Sequence, residues 1–296
     1  MLKNLSESSF ATLRLPFESG KQTPRNIGLL NFLLIVFQAL LISMEYHFAQ
    51  FSHYPGRYEI LDVHLRISII LSVLMLIYSI PFVYKTSQKI QYIILILTSQ
   101  NMFSVSPLLL ALVLMGEGDV GSEFLILFTK VVLIIGVLVF SAEAIRFYIL
   151  LKKGAFKRNS KKDIQRRVTE KNMMALMPVL ITSGTGLSFT IIFLSRHVRI
   201  IDIDFFMSVI FPILIFYVVL CILPEQLVML YCKFRFKSFN FDKEGNLYPF
   251  SEDIEERKKK IPVVEAGTSF VDKRSKKAGD NEKTSIIIDK FKNWYH

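Results

Sequence analysis

The sequence predicts an all-α integral membrane protein with six transmembrane helices, both termini in the cytoplasm, and a small, partly ordered C-terminal tail that includes a strand or hairpin. Three observations predict it. Of 296 residues, 52% are hydrophobic and only 21% are charged, and the mean hydropathy is +0.41, which excludes an ordinary soluble domain. Uncharged apolar runs of about 18 residues or more recur along the chain, each long enough to cross a hydrocarbon core of roughly 30 Å as a helix. Lysine and arginine are spread unevenly over the loops between them, as the positive-inside rule requires.

Residues 1–26 form a cytoplasmic or interfacial segment. Glu7, Pro16 and Glu18 interrupt it, so it does not read as a cleavable signal peptide. Leu2, Leu5, Phe10 and Leu13 are spaced to line one side of a short interfacial helix ending near Pro16; the competing reading is a disordered leader. The transmembrane domain occupies 27–232, with spans at 27–44, 67–84, 90–116, 124–151, 172–195 and 205–232. The last continues through Glu225 to about Cys232.

The tail, 233–296, opens with "KFRFKSFNFDKEGNLYPF", in which basic and polar residues alternate with Phe234, Phe236, Phe239 and Phe241 before the turn signal "DKEGN". Such alternation predicts a strand and hairpin. Beyond it, charge clusters leave too few apolar residues for an independent core, and a docking role is expected.

With six spans both termini share one side. Counting Lys and Arg on that basis places thirty on the face bearing the termini and four on the other, with Lys130 and Arg146 inside the membrane. Without the tail the ratio is still fifteen to four. Both termini are therefore assigned to the cytoplasm, and the formal net charge of +11 reports orientation rather than nucleic-acid binding. The 152–171 loop holds nine basic and two acidic residues and is expected against anionic headgroups.

Charges inside an apolar span are costly and need an explanation. In the fourth span Glu143 and Arg146 lie three residues apart on one helix face, and Glu225 falls at a similar depth in the sixth, so Arg146 is placed to bridge two carboxylates. Such a cluster serves as a helix–helix clamp or as a proton or ion relay at a cytoplasmic cavity. Lys130 points to a largely opposite face, and its long stem can snorkel to the headgroups.

The third span has a polar middle, "TSQNMFSVSP", containing Gln100, Asn101 and Ser104 ahead of Pro107. The fifth has "TSGTGLS", where Ser183, Gly184 and Gly186 combine hydroxyls with missing side chains. Two such stretches at similar depth are what the broken helices of transporters present to a solute; close packing through small residues is the alternative. An internal three-plus-three repeat is not evident, because the third span's polar middle has no counterpart in the apolar sixth.

Other chemistry is set aside. Cys221 and Cys232 sit eleven residues apart on one predicted helix, too far for a disulfide. The histidines form no HxxxH or HxH pair, so neither a metal centre nor a cofactor is expected. "GEGD" at Gly116 to Asp119 matches a string of intramembrane aspartyl proteases but falls in an external loop without a second intramembrane aspartate. Ser183-Gly184 lacks the preceding glycine and the histidine of a rhomboid-type protease. A Walker A loop is absent, so any ATPase is a separate subunit.

The expectation is a non-enzymatic, multi-pass plasma-membrane protein, foremost a permease-like transport subunit with its path between the third, fourth and fifth spans. The alternative is a membrane protein that binds a protein partner, as an immunity, sensory or assembly factor would.

Overall fold

In the computed structural model, residues 2–118, 120–169 and 206–251 are described, all of them within one unit, Met1–Ile254. The predicted fifth span, with Ser183, Gly184 and Gly186, lies outside the described residues, as does the tail beyond 251. The fold is all-helical. Among the described residues, five helices are long and apolar enough to cross a membrane: α1, Pro24–Ala49; α2, Arg57–Ile77; α3, Gln88–Met115; α4, Ser122–Lys152; and, after the short helix α5 at 161–169, α6, Ser208–Arg235.

Local chemistry sets the boundaries. Thr23 caps α1 by accepting the Asn26 N–H at 3.2 Å, with Pro24 in the first turn. Gly56, at φ +67°, turns the chain into α2. Ile80 is extended, the conformation favoured before proline, and Pro81 opens a separate short helix, Pro81–Thr86. The second span therefore starts at Arg57 and ends at Ile77 instead of covering 67–84, and the first continues past Met44 to Ala49. The extensions to Arg57 and Ala49 occur because charged and polar residues are accommodated inside the helices, where a charge-free window excludes them, whereas the end at Ile77 is set by the break before Pro81.

Proline also shapes the middle of α3. Pro107 cannot donate to a carbonyl one turn back, and the ladder widens into a π-helix over Asn101–Val105, with Ser106 N–H reaching Asn101 O. The same device recurs at the start of α6, where the π-helix Phe206–Ile210 precedes Phe211 and Pro212.

The most buried of the five is α3. It packs on the antiparallel hairpin α1–α2 on one side and on α6 on the other, while α4 pairs mainly with α6. Much of α4 faces outward, as a lipid-facing helix must. Lys130 is exposed on it.

At one end, called basal here, residues 2–20, 152–169 and 236–251 form a layer over the helix ends. Phe10, Leu13 and Phe17 are buried there with Tyr92, Phe147, Leu151, Phe156, Met229 and Phe239. The N-terminal segment is thus neither an interfacial helix nor a loose leader. It forms short 3-10 turns, Leu2–Asn4 and Glu7–Arg14, then the helix Leu15–Glu18, because its apolar residues find a protein groove to fill. Thr12 binds Phe156 O through both N–H and Oγ1 at 3.0 Å.

The expected strand after the last span is also corrected. The helix continues to Arg235, Lys237–Phe239 form a 3-10 turn, and only an isolated bridge joins Phe241 and Leu247. The reason is capping: Asn240 Nδ2 donates to Lys233 O at 2.8 Å and Phe236 O at 3.0 Å, closing the helix, and Phe239 and Phe241 turn into the basal core. "DKEGN" does turn, with Gly245 at φ +95°.

Candidate functional site

The buried polar groups of the bundle gather along the seam between α1, α2 and α3. On α1, Asn31, Gln38 and Glu45 recur every seven residues and are all buried, which places them on one face. On α2, His64 and Ser68 lie one turn apart on the facing surface. The antiparallel hairpin matches them in order. Glu45 Oε2 is 2.8 Å from His64 Nδ1, with the two side chains 1% and 4% exposed. Gln38 Nε2 donates to Ser68 O at 2.7 Å, and Asn31 Nδ2 to Met75 O at 3.3 Å.

The third helix completes the seam through its π-helix. Ser106, directly after the widened turn, donates its hydroxyl to Glu45 Oε1, and Asn101, the first residue of that turn, donates Nδ2 to Ser68 Oγ at 2.8 Å. Further toward the basal end, Gln91 Nε2 donates to Pro24 O at 2.9 Å and Tyr78 O at 3.0 Å. Polar groups thus run from near the far end, where Glu45 and His64 sit about 6–10 Å inside their helix ends, to the basal end.

What these groups leave open matters as much as what they bind. Among the described residues, buried His64 Nε2, Gln38 Oε1, Asn31 Oδ1 and Gln91 Oε1 have no hydrogen-bond partner. A buried polar atom without a partner costs on the order of 1–3 kcal/mol, so a row of them is kept only against a steady penalty. With Nδ1 donating to the carboxylate, Nε2 is an acceptor in the neutral ring and a donor in the protonated one.

The residues expected from sequence divide between this seam and the basal end. Asn101 joins the seam, turned toward α2; Ser104 is buried in the same π-helix. Gln100 faces α6, with Nε2 3.3 Å from Gln226 Oε1. Glu143 and Arg146 pair with each other at 2.8 Å, Arg146 remaining 65% exposed. Arg146 does not reach Glu225. Instead Arg166 of α5 holds both oxygens of Glu225, each at 2.7 Å, a fork-to-fork pair, and this bond raises the Arg166 pKa further.

Glu45 and His64 were not among the residues singled out from sequence, since both lie just outside the charge-free windows. The seven-residue spacing of Asn31, Gln38 and Glu45, with His64 and Ser68 one turn apart downstream, is the signal that finds them. Among the described residues no group of three or more His, Cys, Asp or Glu side chains is arranged to hold a metal ion. Comparison with protein-family models, curated proteins and solved structures finds no match. The functional reading rests on the site.

Proposed function

We propose that this multi-pass protein is a permease-like transporter coupled to protons, with Glu45 and His64 as its protonation site and the seam of Gln38, Ser68, Asn101 and Asn31 as its polar path. The observation that carries the reading is the buried Glu45–His64–Ser106 constellation with His64 Nε2 left open. Ionisable side chains inside apolar spans are expensive, and ion pathways and proton relays are among the roles they mark. The path proposed here runs between the first three helices rather than between the third, fourth and fifth spans.

The protein works in this reading without covalent chemistry, in the plasma membrane, with both termini cytoplasmic and the basal layer on the cytoplasmic side. A separate ATPase subunit is not required by a proton-driven cycle.

The test is proton flux into liposomes containing the purified chain under an imposed pH gradient, followed with a trapped pH-sensitive dye. The wild type should exceed empty liposomes, and Glu45→Gln, which keeps the shape but removes the titratable group, should abolish the excess at an unchanged folded amount. A wild type no faster than empty liposomes, or a Glu45→Gln variant as fast as the wild type, overturns the proposal.

A further inference from the structure

The basal end holds a second constellation, independent of the seam. Helix α5 is capped from both sides of Ser160: Ser160 Oγ accepts the Asp163 N–H at 3.1 Å, while Asp163 Oδ2 accepts the Asn159 N–H at 3.0 Å. So anchored, α5 presents Lys162, Gln165, Arg166 and Thr169 along one stripe, the i, i+3, i+4, i+7 positions of a helix face. These four line a cleft of about 430 Å³ whose other walls are Leu15 and Pro16 of the N-terminal segment and Glu225 of α6.

The charges around the cleft do not balance. Glu225 is satisfied by the Arg166 fork and Glu143 by Arg146. Among the described residues Lys162 is the cation left over: it has no carboxylate within ion-pair distance, and its amine rests 4.6 Å from the Phe156 ring centroid. A lysine ammonium has three donors, and a ring face satisfies none of them as an oxygen does. Partial burial, together with Arg166 and Arg146, pulls the Lys162 amine below its ordinary range despite Glu225 and Glu143 nearby.

We propose that this cleft binds a phosphate-bearing anion, with Lys162 as its cation, the outer edge of the Arg166 guanidinium as a second donor, and Gln165 and Thr169 as neutral donors. The ligand chemistry fits the stripe: a phosphate carries several strong acceptor oxygens, and the stripe offers an ammonium, an amide and a hydroxyl on consecutive turns. Two sources share this chemistry, an anionic phospholipid headgroup and free phosphate. On the opposite side of α5, Ile164 and Val168 are 55% and 53% exposed, an apolar pair suited to lie among lipid chains while the stripe takes a headgroup.

The full-length protein in phosphatidylcholine nanodiscs is titrated with inorganic phosphate, and separately prepared with phosphatidic acid mixed into the same lipid, retained lipid being counted by native mass spectrometry. Lys162→Gln should weaken binding about tenfold, the effect of losing one charge-assisted hydrogen bond, whereas Lys161→Gln, on the same helix but outside the cleft, should not. Phosphate binding that displaces phosphatidic acid identifies free phosphate as sufficient; retention of phosphatidic acid unaffected by phosphate identifies the lipid. If Lys162→Gln does not fold, the Gln165→Leu/Thr169→Val double variant reports on the same cleft and should also bind more weakly. Equal binding by the wild type and the folded cleft variants, or binding of neither probe by the wild type, overturns the proposal.

Discussion

Gly136 of α4 lies directly beneath the Phe216 ring of α6: a Cβ added at Gly136 would stand 3.0 Å from Phe216 Cε1 and 3.2 Å from Leu220 Cδ1. Close approach through a glycine is how apolar helices associate in lipid, where no hydrophobic effect separates helix from solvent. Gly136→Val should therefore destabilise the folded protein by about 1–3 kcal/mol, seen as a lower midpoint of thermal unfolding in detergent. Trimming the ring with Phe216→Leu in the same chain should recover part of the loss. An unchanged midpoint for Gly136→Val would remove this contact as a determinant of the α4–α6 pair.

Replacing both members of the buried Glu45–His64 pair should cost less than the two single replacements added together. Glu45→Leu strands the His64 ring and the Ser106 hydroxyl, with an expected loss of about 3 kcal/mol. Glu45→Leu/His64→Leu removes the stranded group as well and should be less destabilised than the sum of the single variants by roughly 1–3 kcal/mol. Additive losses in a double-mutant cycle of unfolding free energies would show that the two groups do not interact.

The N-terminal segment is predicted to be part of the folded core. Phe10→Ala empties a site that is 0% exposed and should cost about 3–5 kcal/mol. Thr12→Val, which removes the hydroxyl bond to Phe156 O, should cost about 1 kcal/mol. Limited proteolysis provides the check: the first twenty residues should resist cleavage in the wild type and become labile in Phe10→Ala.

The turn at Asp242 should open in acid. Backbone N–H groups of Asn246 and Glu244 donate to Asp242 Oδ1 at 2.8 and 2.9 Å and hold its carboxyl below the ordinary aspartate range. A lowered folded value means that this stabilisation is complete above the unfolded aspartate range, about pH 3.9, and is lost as the pH falls through the folded value. Hydrogen exchange of residues 243–247 should accelerate in that window in the wild type and show no such step in Asp242→Asn.

Orientation is checked by reporter fusion. The excess of lysine and arginine around the basal layer predicts that a reporter after Gly118 is exported and that one following residue 251 stays in the cytosol. The reverse pattern would invert the proposed path with respect to the membrane.

Much of this architecture is legible in the amino-acid order. Apolar runs locate α1, α3, α4 and α6, whereas the helix starts at Thr23-Pro24 and Ile80-Pro81, set by chemistry between neighbouring residues, are passed over by charge-free windows at 27–44 and 67–84. The polar seam is harder to read because the rule that finds spans, avoidance of charge, hides the charges that spans contain. Glu45 and Asp62 look like loop residues until the hairpin register pairs Glu45 with His64 and brings Asp62 Oδ1 2.6 Å from Tyr46 Oη. The Phe-rich stretch after α6 misleads for a related reason. Its alternation is genuine, but Phe234 still belongs to the helix while Phe239 and Phe241 turn into the groove beside Phe17, and no local signal reports a partner more than two hundred residues away.

The basal layer ties the earliest residues to late ones: Arg14 Nη2 donates to Tyr248 O at 2.6 Å, and Glu7 accepts from Ser238 and Ser251. During synthesis Phe10, Leu13 and Phe17 can be covered only in part, by Tyr92, Phe147 and Phe156, until the final described helix has been inserted and the stretch behind it has emerged. A chain halted before that point displays a greasy flag where a finished one shows a sealed surface, giving quality-control proteases and chaperones a direct means of telling the two apart.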